Sequence, residues 1–202
     1  MKTCNFSLRR ARLDDDICAI AKYIYLTDPY IYPSISNSPE SAEWVDIIEQ
    51  CYKMEKNVFY YKNIFIALVD DKIVGICCIV PNKKKLEFSE RLRLSDELLQ
   101  KIEGTVKGYF KPLLKEIAEL DGYNVVNLCV DESFRNLGIG KKLLNYSISQ
   151  VETKEVYLDV IADNTSAIRV YQALSFEVEK EYEGFLSESS SILCYKMKKT
   201  LK

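Results

Sequence analysis

The stretch Val130–Leu144, VDESFRNLGIGKKLL, constrains the fold more than any other part of the chain. An apolar run, YNVVNLCV, ends there, two acids and an arginine follow, and glycines stand at 138 and 140 before a helix-like pattern begins. A strand that runs through a glycine turn into a helix is a building block of α/β architecture. The turn serves either a bound phosphate or only the change of direction, and the surrounding sequence has to decide.

The rest of the chain keeps the same alternation of element types. FSLRRARLDDD reads as a short strand and a turn whose aspartates cap a helix, DDICAIAKYIYL, with apolar residues at 17, 20, 21 and 24 on one face. Pro29 and Pro33 stop that helix. Ser38 caps the next, with Pro39 in its first turn and apolar spacing at 44, 47, 48 and 51. NIFIALVDDKIVGICCIVP is a hairpin about a three-residue turn, Asp70-Asp71-Lys72. Both of its strands are apolar on both faces, which requires cover on both sides. From Lys83 to Gly122 the chain is polar and mostly helical, with Ser95 a cap and Pro112 a break. EVYLDVIA is a strand, DNTSAIRVYQAL a helix capped by its Asp/Asn/Thr cluster, and SFEVEKEYEGF pairs with SILCYKMKK as an antiparallel hairpin. The expectation is one α/β domain over residues 1–202, its mixed, mostly antiparallel sheet covered by helices on both faces, with a helical insertion at about 83–120.

Composition removes several function classes. A net charge of −2 and a pI near 5.5 give no general pull toward nucleic acid or an anionic membrane, and Lys83-Lys84-Lys85 reads as a solvated turn. No apolar stretch reaches the roughly 18 residues of a spanning helix, and MKTCNFSLRRARLDDD lacks the layout of a signal peptide, so a cytoplasmic protein is expected. Seven cysteines form no CxxC pair; in GICCIV and NLCV they read as small buried hydrophobes in a reducing compartment. The chain has no histidine, which excludes Ser-His-Asp and Cys-His triads and histidine-ligated zinc. No metal is expected, and a general base must be a carboxylate, a tyrosine, a lysine or a water chain.

The glycine loop fails two nucleotide fingerprints. A dinucleotide motif beginning at Gly138 needs a small residue where Leu143 stands. A P-loop ending at Gly140-Lys141 needs glycine at 135 and Ser/Thr at 142, where Arg135 and Lys142 stand. What remains is Arg-x-x-Gly-x-Gly at a helix N-terminus, whose first amides have no internal partner and attract anions. Gly138 and Gly140 would admit a pyrophosphate close to the backbone, with Arg135, Lys141 and Lys142 adding positive charge.

Downstream, Asn164 follows Gly140 by 24 residues and Tyr171 follows Asn164 by seven, within YLDVIADNTSAIRVYQALSFEV. With these residues added, the chain resembles the GNAT superfamily of acyl-CoA-dependent N-acetyltransferases. The resemblance rests on R135-N-L-G-I-G140 after a strand ending V130-D-E and on N164-x6-Y171-x4-F176, and extends to RRARLDDDICAI and the hairpin 64–80. One departure is Leu174-Ser175-Phe176, where the family usually has Leu-Gly-Phe.

The resemblance implies a GNAT-like fold, acetyl-CoA as cosubstrate and direct transfer to a primary amine on a small molecule or peptide. Backbone amides of Arg135, Asn136, Leu137, Gly138, Ile139, Gly140 and Lys141 would hold the pyrophosphate, and Leu128, Cys129 and Val130 would pair with the pantetheine arm. Amides near Val130 would polarise the thioester carbonyl. Tyr171 matches the general acid, its phenol protonated at neutral pH with an ordinary pKa of about 10. Asn164 would orient the pantetheine or the tyrosine helix, and it also reads as a plain helix cap. The base stays open between Asp159, where some protein N-terminal acetylating members carry glutamate, Glu132 and a water relay; Asp159 reads equally well as a solvated strand residue. Asp28, Tyr30 and Tyr32, with Tyr23 and Tyr25 nearby, would wall a pocket for a cationic amine, or pack a core edge. Segment 83–120 would lid the site or form a homodimer contact. A non-catalytic CoA-binding sensor or interaction module of the same fold is the alternative function.

Overall fold

The computed structural model describes residues 5–82, 92–105, 120–187 and 190–201. The chain opens with β1 (Ser7–Arg10) and α1 (Ile17–Tyr25), whose N-cap Asp16 accepts from the Ala19 amide at 3.1 Å. The first helix ends before Pro29, and a short helix not anticipated from the sequence follows, α2 (Ile31–Ile35). Pro33 lies in its first turn, where an amide would have no intrahelical partner, so the ring costs no hydrogen bond. Asp28 Oδ1 caps this turn, accepting from the Tyr30 and Ile31 amides at 2.8 Å each.

Helix α3 (Ala42–Lys53) is capped by Ser41, which accepts from the Trp44 amide at 3.1 Å, and not by Ser38. Ser38 instead accepts from the Glu40 amide in a separate turn before the helix. Strands β2 (Ile64–Val69) and β3 (Lys72–Pro81) form the expected hairpin, but its turn has two residues. Lys72 pairs with Val69, and Asp70 and Asp71 take φ of 47° and 60°, the left-handed pair that matches strand twist. Of the expected insertion, the described part is α4 (Asp96–Thr105), with Ser95 Oγ accepting from the Leu98 amide; Lys83-Lys84-Lys85 and Pro112 lie outside the described residues. Then come β4 (Tyr123–Val130), α5 (Ile139–Ser149), β5 (Glu155–Ile161), α6 (Thr165–Gln172), β6 (Glu177–Ser187) and β7 (Ser190–Thr200).

Among the described residues, seven strands make one mixed sheet in the order β1-β2-β3-β4-β5-β7-β6. Its two faces carry separate cores. On one, Ile20, Ile24, Trp44, Ile47 and Ile48 from α1 and α3 bury Ile64, Ile66 and Ile76. On the other, Ile139, Leu143 and Leu144 of α5 and Tyr171 of α6 bury Phe65, Leu158 and Met197. The double cover explains why β2 and β3 are apolar on both faces. Among the described residues, no helix is long and apolar enough to cross a membrane.

Among the described residues, strands β4 and β5 are the only parallel pair, and they pair over three positions, Tyr123–Val125 against Val156–Leu158. Beyond that point they separate. On the other side of β4, Cys78 faces Asn127 while Ile79 faces Val125, which leaves Val126 as an extra residue, a β-bulge. A bulge bends its strand and breaks pairing, so β4 leaves β5 where the bulge sits.

Candidate active site

The separation opens a cavity of about 170 Å³ between the strands, reached by the α1–α2 segment through Thr27, Asp28 and Tyr32 and by α6 through Tyr171. The bulge also sets which residues face it. Val125 packs with the α5 core and Val126 with the α1/α3 core, and Asn127 turns to the same side as Val126 to meet Thr27 and Tyr32.

Past the bulge β4 has one free edge. The Asp131 amide donates to Val74 on β3 at 2.8 Å. Strand alternation therefore directs the peptide groups of Leu128 and Val130 away from β3, toward the gap. Cys129 points its peptide back to β3 and its side chain into the α1/α3 core. The turn Glu132–Phe134 follows, held by Asp131 Oδ1 accepting from the Ser133 amide at 3.0 Å, and Arg135 Nε reaches back to the Val130 carbonyl at 3.2 Å.

Left-handed residues, Asn136 at φ 63° and Gly138 at φ 77°, then fold the loop onto the start of α5. The first helical bond runs from the Lys142 amide to the Gly138 carbonyl, so the amides of Ile139, Gly140 and Lys141 are not consumed by the helix. A Cβ at Gly140 would meet only Val130 Cγ2, at an ordinary 3.5 Å. Packing within the chain does not demand glycine at 140, whereas the backbone conformation does at 138.

Tyr171 is 8 % exposed, its ring 6.0 Å from that of Phe176. Burial pushes its phenol well above the ordinary tyrosine value, so it holds its proton throughout the neutral range. Asn164 caps α6, its Oδ1 accepting from the Ala167 amide at 3.2 Å and the Ser166 hydroxyl at 3.1 Å, and it lines the cavity as well. Ser175 takes the left-handed conformation, φ 64°, that glycine would hold more readily. The Phe176 amide still closes on the Tyr171 carbonyl at 3.0 Å, so the serine leaves the Tyr171–Phe176 geometry intact.

Across the gap, Asp159 on β5 lines the cavity with Tyr182 and Cys194. The Tyr182 hydroxyl donates to Asp159 Oδ1 at 2.8 Å, and Lys196 Nζ lies 3.9 Å from the same oxygen. Asp28 is a second carboxyl on the wall, and burial pushes its pKa up against the two amides it caps.

The chain matches the acetyltransferase (GNAT) family over residues 30–176. It belongs to that family. An N-alpha-acetyltransferase of Saccharolobus solfataricus is 27% identical over 189 residues, covering 91% of this chain and 87% of the relative. An N-acetyltransferase from Staphylococcus aureus superposes with a TM-score of 0.74 at 20% identity, covering 95% and 99% of the two chains. The NatC complex bound to Gag peptide and CoA gives a TM-score of 0.59 at 15% identity, covering 98% and 99%. At such identities the two structures show the shared fold alone.

In this GNAT chain the cavity gathers Leu128, Asp159, Asn164, Tyr171, Asp28 and Tyr32. Val130, Arg135, Asn136, Leu137, Gly138, Ile139, Gly140 and Lys141 form the loop beside it, with Arg135 and Lys141 exposed. Glu132 stands exposed on the turn after β4 and Tyr30 is 45 % exposed; neither is among the residues lining the cavity. Sequence reasoning missed Asn127, Thr27 and Tyr182. Two asparagines interrupting the apolar run YNVVNLCV were the available signal for Asn127; Tyr182 is one of 14 tyrosines and carried none.

Proposed function

We propose that this GNAT chain is one N-acetyltransferase domain that moves an acetyl group from acetyl-CoA directly to a primary amine. A peptide α-amine is the favoured acceptor class, in keeping with the N-alpha-acetyltransferase relative. The observation that carries the reading is a free strand edge and a buried tyrosine on one cavity, with unspent helix amides on the loop that follows that strand.

The free amides at the start of α5, with Arg135 and Lys141, suit the CoA pyrophosphate, and Gly140 keeps side-chain bulk out of its way. The Leu128 and Val130 peptides suit the pantetheine amides as an added strand would. Asp159 takes the proton that the acceptor ammonium must lose. The neutral nitrogen then forms a bond to the thioester carbon, and strand-edge amides stabilise the charge gathering on the carbonyl oxygen. As the carbon–sulfur bond breaks, its electron pair stays on sulfur and the Tyr171 phenol supplies the proton. The second proton shed by the attacking nitrogen returns through water to the phenolate. Asp28 and Tyr32 line the acceptor side, and Asn164 holds the first turn of the tyrosine helix.

The test is acetyl-CoA turnover, read as released thiol, against free-amine peptides, polyamines and small amines. Amine-dependent thiol release that falls sharply in Tyr171→Phe is the expected result. Stabilisation by CoA without turnover on any amine would leave the non-catalytic CoA-binding module as the function.

A further inference from the structure

The acceptor side of the cavity contains a polar group that the reaction scheme above does not use. Asn127 is 3 % exposed, on the strand that carries the free edge, and it lines the cavity. Its Nδ2 donates to Thr27 Oγ1 at 2.6 Å and to the Tyr32 hydroxyl at 3.2 Å. Thr27 decides which way round the amide sits. Its own hydroxyl proton goes to the Ile24 carbonyl at 2.6 Å, so toward Asn127 it can only accept. An asparagine turned the other way would set oxygen against oxygen there.

The orientation leaves Oδ1 as the spare atom, and among the described residues it has no hydrogen-bond partner. Asn124, also lining the cavity and 3 % exposed, likewise has an unpartnered Oδ1. A buried amide oxygen without a donor is costly to the fold, and an oxygen held in place by two hydroxyls on its sister nitrogen is set for an incoming donor. Two carboxylates, Asp28 and Asp159, line the same chamber beside the Tyr171 and Tyr182 hydroxyls. Two spare amide oxygens and two carboxylates suit a ligand that brings several N–H donors.

We propose that Asn127 is an acceptor-binding residue, its Oδ1 taking a hydrogen bond from the ammonium group of a peptide N-terminus. The inference rests on the amine-acetylating reading for its chemistry, but binding can be measured without turnover. Thr27 and Tyr32 act as positioning residues that aim the amide.

The experiment has two parts. The first follows the Asn127 side-chain amide by NMR in the CoA-loaded wild-type protein, titrated with tetrapeptides beginning Met or Ala. The free-amine peptides should shift that resonance and their N-acetylated counterparts should not. The second compares steady-state constants. Asn127→Ala should raise the peptide KM about tenfold or more, as expected for a hydrogen bond to a charged group, with the acetyl-CoA KM within about twofold. Thr27→Val, which removes the latch and keeps the amide, should raise it less.

An Asn127 resonance untouched by free-amine peptides, as when Oδ1 only holds an internal water, overturns the proposal. So does a Thr27→Val enzyme with the full defect of Asn127→Ala, because the asparagine would then act only as a tie. If the resonance shifts but wild type releases no thiol, the binding inference stands and the transfer reading falls.

Discussion

Asp159 Oδ1 accepts the Tyr182 hydroxyl at 2.8 Å and stands 3.9 Å from the buried Lys196 ammonium, although the three residues come from three different strands. Lys196 is the cross-strand partner of Asp159 on β7, and Tyr182 reaches past β7 from the edge strand β6. The proposed base is therefore oriented by the sheet itself. Asp159→Asn should lower kcat by about 10² or more, the usual range for a positioned proton acceptor, with the acetyl-CoA KM within about twofold. The same change leaves Lys196 buried without its carboxylate, which is costly, so a lower Tm should accompany the loss. Normal kcat in a stable Asp159→Asn protein would remove Asp159 as the base.

Asp28 gives a pH signature. Its carboxyl pKa is raised by burial, against the opposing effect of the Tyr30 and Ile31 amides. With the folded-state value above the unfolded one, the native state holds the proton longer, and stability falls as pH rises through the window between the two values. Asparagine caps a helix about as well as aspartate. Asp28→Asn should therefore melt higher than wild type at neutral pH, and the difference should vanish below about pH 4, near the unfolded carboxylate value. Thermal melts at several pH values read this directly; a difference that grows on acidification would reverse the assigned sign.

Ser175 tests the one departure from the family pattern. A left-handed serine costs roughly 1–2 kcal/mol relative to the right-handed form, partly offset by the greater entropy glycine loses on folding. Ser175→Gly should stabilise by about 0.5–1 kcal/mol, read as a rise of a few degrees in Tm, with kcat unchanged because the Phe176-to-Tyr171 backbone bond is already made. A lower Tm would mean that the serine side chain contributes something the backbone argument omits.

Apolar content made the sheet legible: β2, β3 and β4 announce themselves as short apolar runs, and the Asp16 and Asn164 caps follow from local sequence. Helix α2 was hidden because Pro33 reads as a stop unless it is known to lie in a first turn. Ser38 and Ser41 are equally good caps on paper, and only the prior turn at Pro39 decides between them. The gap between β4 and β5 was out of reach for a different reason. It depends on the extra residue Val126, and a bulge exists only relative to the strand it pairs with. The motif residues Gly138, Gly140, Asn164 and Tyr171 were readable because their spacing is local. Asn127 and Tyr182 owe their place at the site to partners 95 and 23 residues away.

The two loop glycines should separate stability from cofactor binding. Gly138 is left-handed, so Gly138→Ala strains the backbone at φ 77° although a Cβ would find open space there. That variant should lose about 1–2 kcal/mol and melt lower. Gly140 is different: its added Cβ would meet Val130 Cγ2 at an ordinary 3.5 Å, and alanine is the better helix former by about 1 kcal/mol. Gly140→Ala should melt at or above the wild-type temperature. If the amides of Ile139, Gly140 and Lys141 face a pyrophosphate, the new methyl should nevertheless raise the acetyl-CoA KM about tenfold while the acceptor KM stays put. Thermal shift with CoA, measured on both variants, completes the comparison. A Gly140→Ala protein that binds CoA as wild type does would return the loop to a plain turn.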